Sequence, residues 1–412
     1  MADLIATPLA ADEGASGRSD RLALLAFAAD ADTESVLREV LLEMLPAGIE
    51  VRRGGIRAAI AALQKMPTPK ALIVDVGGEA QPLVLLGDLS HVVEPDVRVL
   101  VIGDRTDVAF YRQVTRDLGA MEYLFKPLSG DMVARHFGPL ITRQARPLES
   151  MHGGSVISVT GVRGGVGATT IAAHLAWHFG IASSQHTVLL DLDLQMGSAA
   201  MLLDAKTSPG LRAALENPQR IDELFVERVA RPVAGRLSML AGEEPAADQP
   251  NPAPGAADRL LQALRRQYNL VVADVPFVPL ALNRDVLDLA KRRVLVLTPT
   301  LVAVRDTLRL LALPNGPMQA RRAVVVLNRL GMVGGLSRKQ VEAALKLRAD
   351  IVIPDLPRRL GSAATLGHPA SAMRGAFAAA IKALAQEVAA VRAVAPAPAE
   401  AAAPPRRRGL FG

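Results

Sequence analysis

The sequence predicts an α/β protein built from two doubly wound parallel-sheet domains in tandem. Short apolar runs of strand length alternate with segments of helical periodicity along most of the chain, which is the pattern of strand–helix–strand units. One stretch rich in Pro, Gly and Ser, around residues 146–154, interrupts this alternation as a domain boundary would. The length of 412 residues also exceeds one ordinary core.

The ends of the chain differ in composition from the rest. We assign residues 21–145 to the first domain, 146–154 to a linker and 155–393 to the second domain. Residues 1–20 are small and polar, and residues 394–412 are Pro/Ala-rich with a basic RRRGLFG end. Neither can bury enough apolar surface to offset the entropy of ordering, so we expect both to be disordered. The basic end could contact anionic lipid or a partner, or be a solvated tail.

Ten apolar runs predict the strands of the two sheets. In the first domain they are LALLAF (22–27), ALIVDV (71–76), RVLVIG (98–103) and EYLFKP (122–127). In the second they are VISVT (156–160), TVLLDLD (187–193), LVVAD (270–274), RVLVLT (293–298), AVVVLN (323–328) and DIVIP (350–354). The second set predicts a parallel sheet of at least six strands, with ligands at the C-terminal ends of the strands. Residues 243–258 are predicted to be a long loop, and 373–394 a packing helix rather than a membrane-surface helix.

Composition excludes several classes of function. The chain has no cysteine, which excludes disulfide frameworks, thiol nucleophiles and Cys-based metal sites. It has no signal-peptide pattern and no apolar run of membrane-spanning length, so we expect a soluble, cytoplasmic protein. The net charge is +6, but scattered arginines on solvated faces account for it, and we expect no nucleic-acid partner.

Residues 156–170 have the composition of a phosphate-binding loop. A β-branched strand runs into Gly164, Gly165 and Gly167, then into two threonines and an apolar-periodic helix starting near Ala168. Glycines allow the backbone to approach anionic oxygens, and the helix start adds its positive dipole end. Thr169 stands where a hydroxyl would ligate Mg²⁺, and Thr170 where one would contact the α-phosphate. A plain glycine-rich turn is the alternative, and the two hydroxyls with the acidic motifs downstream argue against it.

The motifs resemble, in order, those of the ParA/MinD superfamily of deviant Walker ATPases. RGGVGATT (163–170) resembles the family's KGGxGK[ST] loop, and DLDLQMG (191–197) resembles its switch I motif. YNLVVADVP (268–276) resembles Walker B running into switch II. VVVLNR (324–329) and VIPDLP (352–357) resemble the base-recognition segments.

Two departures from the family pattern narrow the resemblance. Arg163 stands where the motif opens with lysine, and Ala168 replaces the lysine before the paired threonines. A small residue at the second position, with a receiver-like domain upstream, resembles the CpaE/TadZ branch of Flp (Tad) pilus assembly and localisation proteins. The resemblance covers about residues 20–392.

The resemblance implies ATP and Mg²⁺ as cofactors and assigns roles to individual residues. Residues expected to bind nucleotide are Arg163, Gly164, Gly165, Val166, Gly167, Ala168, Thr169, Thr170, Asn328 and Pro354. Residues expected at the metal are Thr169, Asp191 in the outer coordination shell, and Asp274 of Walker B. Asp193 would orient the attacking water, Asn328 would recognise the adenine edge, and Arg163 would reach the phosphates of the partner in a nucleotide-sandwich dimer.

The alanine at position 168 bears on turnover. A lysine there neutralises β/γ-phosphate oxygens as charge shifts in phosphoryl transfer. Losing one such preorganised donor typically lowers the rate by about 10²–10³-fold. We therefore expect ATP binding with weak or no hydrolysis, and Asp193 leaves residual activity open.

The first domain resembles a response-regulator receiver with parts missing. Asp75 stands at the phospho-acceptor position, and Lys126-Pro127 matches the Lys-Pro pair of that family. Gly103 replaces the switch hydroxyl, and Ala28-Ala29 replaces the acidic pair, with Asp30 and Asp32 displaced. Because that pair holds the Mg²⁺ needed for phosphorylation, we expect a pseudo-receiver used for docking or dimerisation.

Three functions follow from these resemblances. The first is a polar localisation and assembly factor of a Flp/Tad-type pilus, a type IV pilus-related secretion system, acting as an ATP-bound dimeric scaffold. It implies homodimerisation, pilus components at the cell pole as partners, and at most peripheral contact with the inner membrane. The second is an active ParA/MinD-type partitioning or division-positioning ATPase, and the third a receiver-controlled response regulator.

Overall fold

The computed structural model describes residues 21–44, 47–142, 154–276, 280–369 and 373–389. The two predicted disordered ends and nearly all of the predicted linker lie outside these residues. Among the described residues, no helix combines the length and apolar character needed to cross a lipid bilayer.

The first domain is a five-stranded parallel sheet in the order β2-β1-β3-β4-β5, covered by helices. Its strands are β1 (Leu24–Ala28), β2 (Ile49–Arg53), β3 (Ala71–Asp75), β4 (Arg98–Gly103) and β5 (Glu122–Phe125). Its helices are α1 (Ala31–Met44), α2 (Ile56–Leu63), α3 (Pro82–Val92), α4 (Val108–Arg112), α5 (Gly130–His136) and α6 (Gly138–Thr142). A 2-1-3-4-5 order is one of the two common doubly wound arrangements, and it places ligand sites at the C-terminal ends of β1 and β3.

The second domain is an eight-stranded sheet in the order β13-β12-β11-β6-β10-β7-β9-β8. Its strands are β6 (Ser155–Gly161), β7 (Thr187–Asp191), β8 (Arg231–Ala234), β9 (Leu237–Ala241), β10 (Leu270–Asp274), β11 (Arg292–Leu297), β12 (Val324–Leu330) and β13 (Ile351–Pro354). All neighbours are parallel except β8, which pairs antiparallel with β9 at the edge. The predicted α/β class with two parallel sheets is therefore confirmed.

The helices of the second domain cover both faces of its sheet. They are α7 (Ala168–Trp177), α8 (Ala199–Leu202), α9 (Gly210–Glu216), α10 (Glu223–Val229), α11 (Ala256–Gln267), α12 (Ala281–Leu289), α13 (Leu301–Leu311), α14 (Arg338–Leu345), α15 (Pro357–Thr365) and α16 (Gly375–Ala389). Helix α16 buries an apolar face that includes Phe377 and Leu384, as a packing helix should. The predicted loop 243–258 ends three residues early, because α11 begins at Ala256.

Three strands were absent from the sequence prediction. Strand β2 (IEVRR) is at a sheet edge and mostly half-buried, so it has no continuous apolar run. Strand β8 (RPVA) is also an edge strand and contains a proline. Strand β9 (LSMLA) is buried, but its five residues lack β-branched side chains.

Side chains from the second domain hold the first domain through backbone carbonyls. Asn269, just before β10, donates from Nδ2 to Val93 O (2.8 Å) and Ser90 O (3.0 Å). Arg236, just before β9, donates to the carbonyls of Val92 and Leu63, the last residues of α3 and α2. Helix C-termini carry partial negative charge and suit a cation. The first domain therefore contacts the second sheet where its strands begin. Ligands are expected at the opposite, C-terminal ends of these strands.

Candidate functional site

The loop between β6 and α7 has the backbone of a phosphate cradle. Gly165 and Gly167 adopt positive φ angles of 75° and 90°, which side chains rarely tolerate. A Cβ atom built on Gly164 or Gly165 would meet nothing within 4 Å, so both residues border open space. Thr169 and Thr170 lie in the first turn of α7 and are half-buried. The cradle thus leaves room for an anion beside the start of a ten-residue helix.

Asn328 buttresses this loop from β12. Its Nδ2 donates to Val166 O (2.8 Å), and its Oδ1 accepts from the backbone N of Arg329 (2.9 Å). A Cβ on Gly167 would lie 2.6 Å from that Nδ2, so only glycine permits this approach. The structure thus brings Asn328 to the phosphate loop. Its role toward adenine stays a prediction.

Asp191 and Asp274 are neighbours at the C-terminal ends of two adjacent strands. They pair directly in the register of β7 and β10, and Asp274 also pairs with Val159 of β6. Both carboxyls are buried, with 1% and 5% of each residue exposed. Burial raises the pKa of Asp274 to about 7, with a further contribution from the charge of Asp191. Burial likewise raises the pKa of Asp191 to about 6.

The metal-site residues come together around Asp274. The Thr169 side chain lies close enough to the Asp274 carboxyl to lower its pKa, against the effect of burial. Asp191 accepts from the backbone N of Asp193 (3.0 Å) and of Ala199 (3.2 Å). In the described part of the chain, neither buried acid pairs with a basic side chain. A buried acid pair without a counter-ion is an environment that a cation would stabilise.

The donor set fits Mg²⁺ carried by a nucleotide better than a free ion. Across the described residues, no group of three acidic or imidazole side chains is arranged to hold a metal. Mg²⁺ is commonly bound through one or two protein oxygens with phosphate oxygens and water completing its shell. Thr169, Asp274 and, more remotely, Asp191 would hold it. The Mg²⁺ ion of a bound nucleotide would place positive charge beside the two acids.

Asp193 and the rest of switch I form a tight turn after β7. Asp193 is half-buried, and its Oδ1 accepts from the backbone N of Met196 (2.9 Å). A Cβ on Gly197 would lie 2.4 Å from Asp193 O and 2.6 Å from Asp191 Oδ2, so this turn requires glycine. Asp193 thus lies next to Asp191, where a carboxylate beside a bound phosphate chain could contact a water.

Arg163 is held by an acid of its own chain. Its Nη1 lies 2.7 Å from Oδ2 of Asp306, an almost buried residue of α13. The Arg163 side chain is 47% exposed. Ala168 is half-buried and packs against the domain core, so no charged group extends from this position into the cradle. Pro354 ends β13 at the sheet edge, three strands away from β6.

The first domain holds a second acidic site, at the end of β3. Asp75 is fully buried and accepts from the backbone N of Ala29 (2.9 Å) and of Gly77 (2.8 Å). Lys126 Nζ lies 2.8 Å from Asp75 Oδ2 and also binds the Asp30 carboxylate. The displaced Asp30 thus still reaches the pocket. Its pKa is about 2, because hydrogen bonds from Lys126 and Thr33 outweigh burial, which would raise it.

Sequence reasoning missed two parts of the site. Nothing in the local sequence indicated a role for Asp306, because it pairs with Arg163, which lies 143 positions away. The side chain of Gln195 lies inside the recognised switch I motif, but its contacts are with a loop 50 residues away. Both depend on how the strands are ordered in the sheet.

Comparisons with known proteins agree with this fold. The family model described as cellulose biosynthesis protein BcsQ matches residues 154–318. An uncharacterised protein of Mycobacterium tuberculosis is 28% identical over 250 residues, covering 54% of this chain and 69% of that protein. The structure of a ParA-family ATPase from Chlorobium tepidum is 18% identical, with a TM-score of 0.50, and covers 57% of this chain and 98% of that chain.

A fourth similarity covers less of the chain. The structure of the pilus assembly protein CpaE from Caulobacter crescentus is 36% identical, with a TM-score of 0.27, and covers 28% of this chain and 91% of that chain. The extent of the similarity to the ParA-family structure, together with the phosphate loop and the adjacent acids, leads to one conclusion. The chain combines a P-loop fold of the ParA/MinD type, similar to the BcsQ family model over residues 154–318, with an N-terminal α/β domain.

Proposed function

We propose that the protein binds ATP with Mg²⁺ and acts as a dimeric scaffold for localisation and assembly of a Flp/Tad-type pilus, with weak or no hydrolysis. The observation that carries nucleotide binding is the site around Asp274. Its buried carboxyl lies close to Thr169 of the phosphate loop and beside Asp191. The Mg²⁺ ion of a metal–nucleotide complex would lie beside both acids and favour their ionised forms.

Weak hydrolysis is supported by what surrounds the cradle. Ala168 offers no donor to the phosphates, and the only arginine of the loop, Arg163, is paired with Asp306. Backbone amides and Mg²⁺ remain, and these suffice to hold a nucleotide. Charge stabilisation during phosphoryl transfer is therefore the part that this site lacks.

Dimerisation is supported by exposed apolar side chains on the same edge of the sheet. Met196 follows β7 and is 70% exposed, and Leu280 follows β10 and is 53% exposed. Leu301 is 71% exposed in the first turn of α13, the helix that carries Asp306. A second copy of the chain facing this edge would cover these side chains and bring a second Arg163 toward the site.

The pilus assignment rests on two features taken together. Ala168 in the phosphate loop and a receiver-like domain upstream resemble the CpaE/TadZ branch. The first-domain pocket supports a docking role for that domain, because Lys126 already pairs with both Asp75 and Asp30. A partitioning ATPase with full turnover would need lysine at position 168, so the site supports the scaffold better.

Nucleotide binding can be tested with the full chain and a fluorescent ATP analogue. We expect binding that requires Mg²⁺ and that weakens by at least tenfold, on the order of one lost charge-assisted contact, in Thr169→Ala. Thr115→Ala, on the surface of the first domain, is the matched control. Equal affinity in the wild-type protein and Thr169→Ala would contradict the proposed site.

The cellular role can be tested by fluorescent tagging in a bacterium that carries this protein. We expect a focus at one pole that recruits pilus components and that disperses in Thr169→Ala. A nucleoid-wide pattern would overturn the pilus assignment and favour the partitioning function.

A further inference from the structure

The switch I turn is contacted from the side by the loop that leaves β9. Residues 242–255 connect β9 to α11, and because β9 pairs with β7, this loop emerges beside switch I. The backbone N of Glu244 donates to Leu194 O (2.7 Å). A Cβ on Gly242 would lie 3.1 Å from Leu194 Cδ2, so the two segments are in close contact.

Gln195 makes the most specific of these contacts. Its Nε2 lies 2.7 Å from Asp248 O, 3.3 Å from Pro245 O and 3.4 Å from Ala246 O. All three partners are carbonyl oxygens, which only accept hydrogen bonds, so the side-chain amide must present its NH₂ group to them. A single side-chain amide of switch I thus hydrogen-bonds to three backbone carbonyls of the neighbouring loop.

The loop is fixed in turn by Arg212 of α9. Arg212 Nη1 lies 3.0 Å from Glu244 Oε2 and 2.5 Å from Asp248 Oδ2, and its Nε lies 3.1 Å from Glu216 Oε1. These three acidic partners raise the pKa of Arg212. Glu216 also accepts from the backbone N of Asn251 (3.2 Å), so two side chains of α9 hold the loop.

We propose that Gln195 is a positioning residue that fixes switch I through the 242–255 loop, and that Arg212 sets the position of that loop. The inference rests on the proposed function, because it concerns the γ-phosphate end of the same nucleotide site. Asp193 lies two residues before Gln195 and takes its position from the same turn. A shift of the turn therefore displaces Asp193 without altering the phosphate loop.

The substitution Gln195→Glu tests the contact with almost no change in size. Its carboxylate only accepts hydrogen bonds and faces three carbonyl oxygens, so we expect switch I to leave the loop. In the nucleotide-free full chain, amide hydrogen exchange of residues 192–199 should become roughly tenfold faster, as expected when a local contact of this strength is lost. Gln81→Glu introduces the same charge at an exposed position of the first domain and should leave these rates unchanged. Unchanged exchange in Gln195→Glu would overturn the inference.

ATP and ADP affinities of the same variants distinguish failure of this inference from failure of the proposed function. In Gln195→Glu we expect ATP affinity to fall roughly tenfold while ADP affinity stays within about twofold, because the proposed site puts Asp193 of the displaced turn at the γ-phosphate end of the nucleotide. Arg212→Ala should change the ratio of ATP affinity to ADP affinity in the same direction. The double variant should lose no more ATP affinity than Gln195→Glu alone, since both substitutions act through one loop. A wild-type ratio in Gln195→Glu, or additive effects in the double variant, would overturn the inference and leave the proposed function standing. Failure of the wild-type protein to bind either nucleotide would overturn both.

Discussion

The two domains each hold a pair of acids at the C-terminal edge of a parallel sheet, and the pairs differ in how their charge is balanced. In the first domain, Lys126 lies between Asp75 and Asp30. In the second, Asp191 and Asp274 lie beside a loop in which Ala168 offers no charge. The acids of the first pocket share a lysine of the chain, whereas those of the second have no basic partner among the described residues. This difference is the physical reason for assigning ligand binding to the second domain and docking to the first.

The largest expected effect comes from restoring the missing charge in the second domain. Ala168→Lys should raise the rate of ATP hydrolysis by about 10²-fold, because the ammonium would neutralise phosphate oxygens during transfer. Steady-state phosphate release from the full chain measures it. Ala168→Met, of similar length but uncharged, should remain at the wild-type rate. Equal turnover in the wild-type protein and Ala168→Lys would show that the charge missing at position 168 does not limit hydrolysis.

The opposite change in the first domain should cost stability. Lys126→Met leaves the fully buried Asp75 without its counter-charge, which should lower the free energy of unfolding of this domain by about 3 kcal/mol. Chemical denaturation of the full chain measures the loss. Lys65→Met, at an exposed position two residues after α2, is the control. Adding Asp75→Asn to Lys126→Met should recover part of the stability, and no recovery would show that the charge balance is not the cause.

The pH dependence of the second domain should reveal its unbalanced acids. Burial raises the pKa of Asp274 to about 7 and that of Asp191 to about 6, both above the value of about 4 for an unfolded aspartate. Such groups stabilise the fold fully at pH values below about 4, and this stability is lost as the pH rises through 6 to 7. Without nucleotide, Asp274→Asn should therefore reduce the fall in Tm between pH 5 and 8 by roughly 3 °C.

A control variant and added nucleotide test whether the acid pair causes this pH dependence. Asp285→Asn removes an exposed acid of the same domain and should leave the pH profile of Tm unchanged. Mg²⁺–ATP should flatten the wild-type profile, because the Mg²⁺ ion would lie beside the two acids and favour their ionised forms. A profile that is identical in Asp274→Asn and the wild-type protein would mean that the acid pair is already neutralised.

The smallest expected effect is the absence of a modification in the first domain. Incubation with acetyl phosphate and Mg²⁺ should give no stable mass gain, because Lys126 occupies the acidic pocket beside Asp75. Intact-mass spectrometry of the full chain measures it, with Asp75→Ala as the comparison. A gain that is present in the wild-type protein and lost in Asp75→Ala would show that the first pocket is chemically active and that the two sites are more alike than proposed.

Sequence pattern predicted the buried strands well and the edge strands poorly. Strand β4 begins and ends where its apolar run does, since buried parallel strands need continuous apolar residues. Strand β2 alternates charged and apolar residues at an edge, and nothing local distinguishes it from a loop. The phosphate loop was found because its glycines and threonines are contiguous. The partners of Arg163 and Gln195 were not, because each contact joins segments far apart in the chain.

By itself, the sequence determined the α/β class, the phosphate loop, the missing lysine and the acids that follow two strands. These features are local, because glycine content, hydrophobic periodicity and the residue at a strand end act within a few positions. Tertiary structure alone decided that Asp191 and Asp274 are cross-strand neighbours without a basic partner among the described residues, and that Lys126 pairs with both Asp75 and Asp30. Strand order sets which chain ends meet, and burial then sets the cost of leaving a charge unpaired.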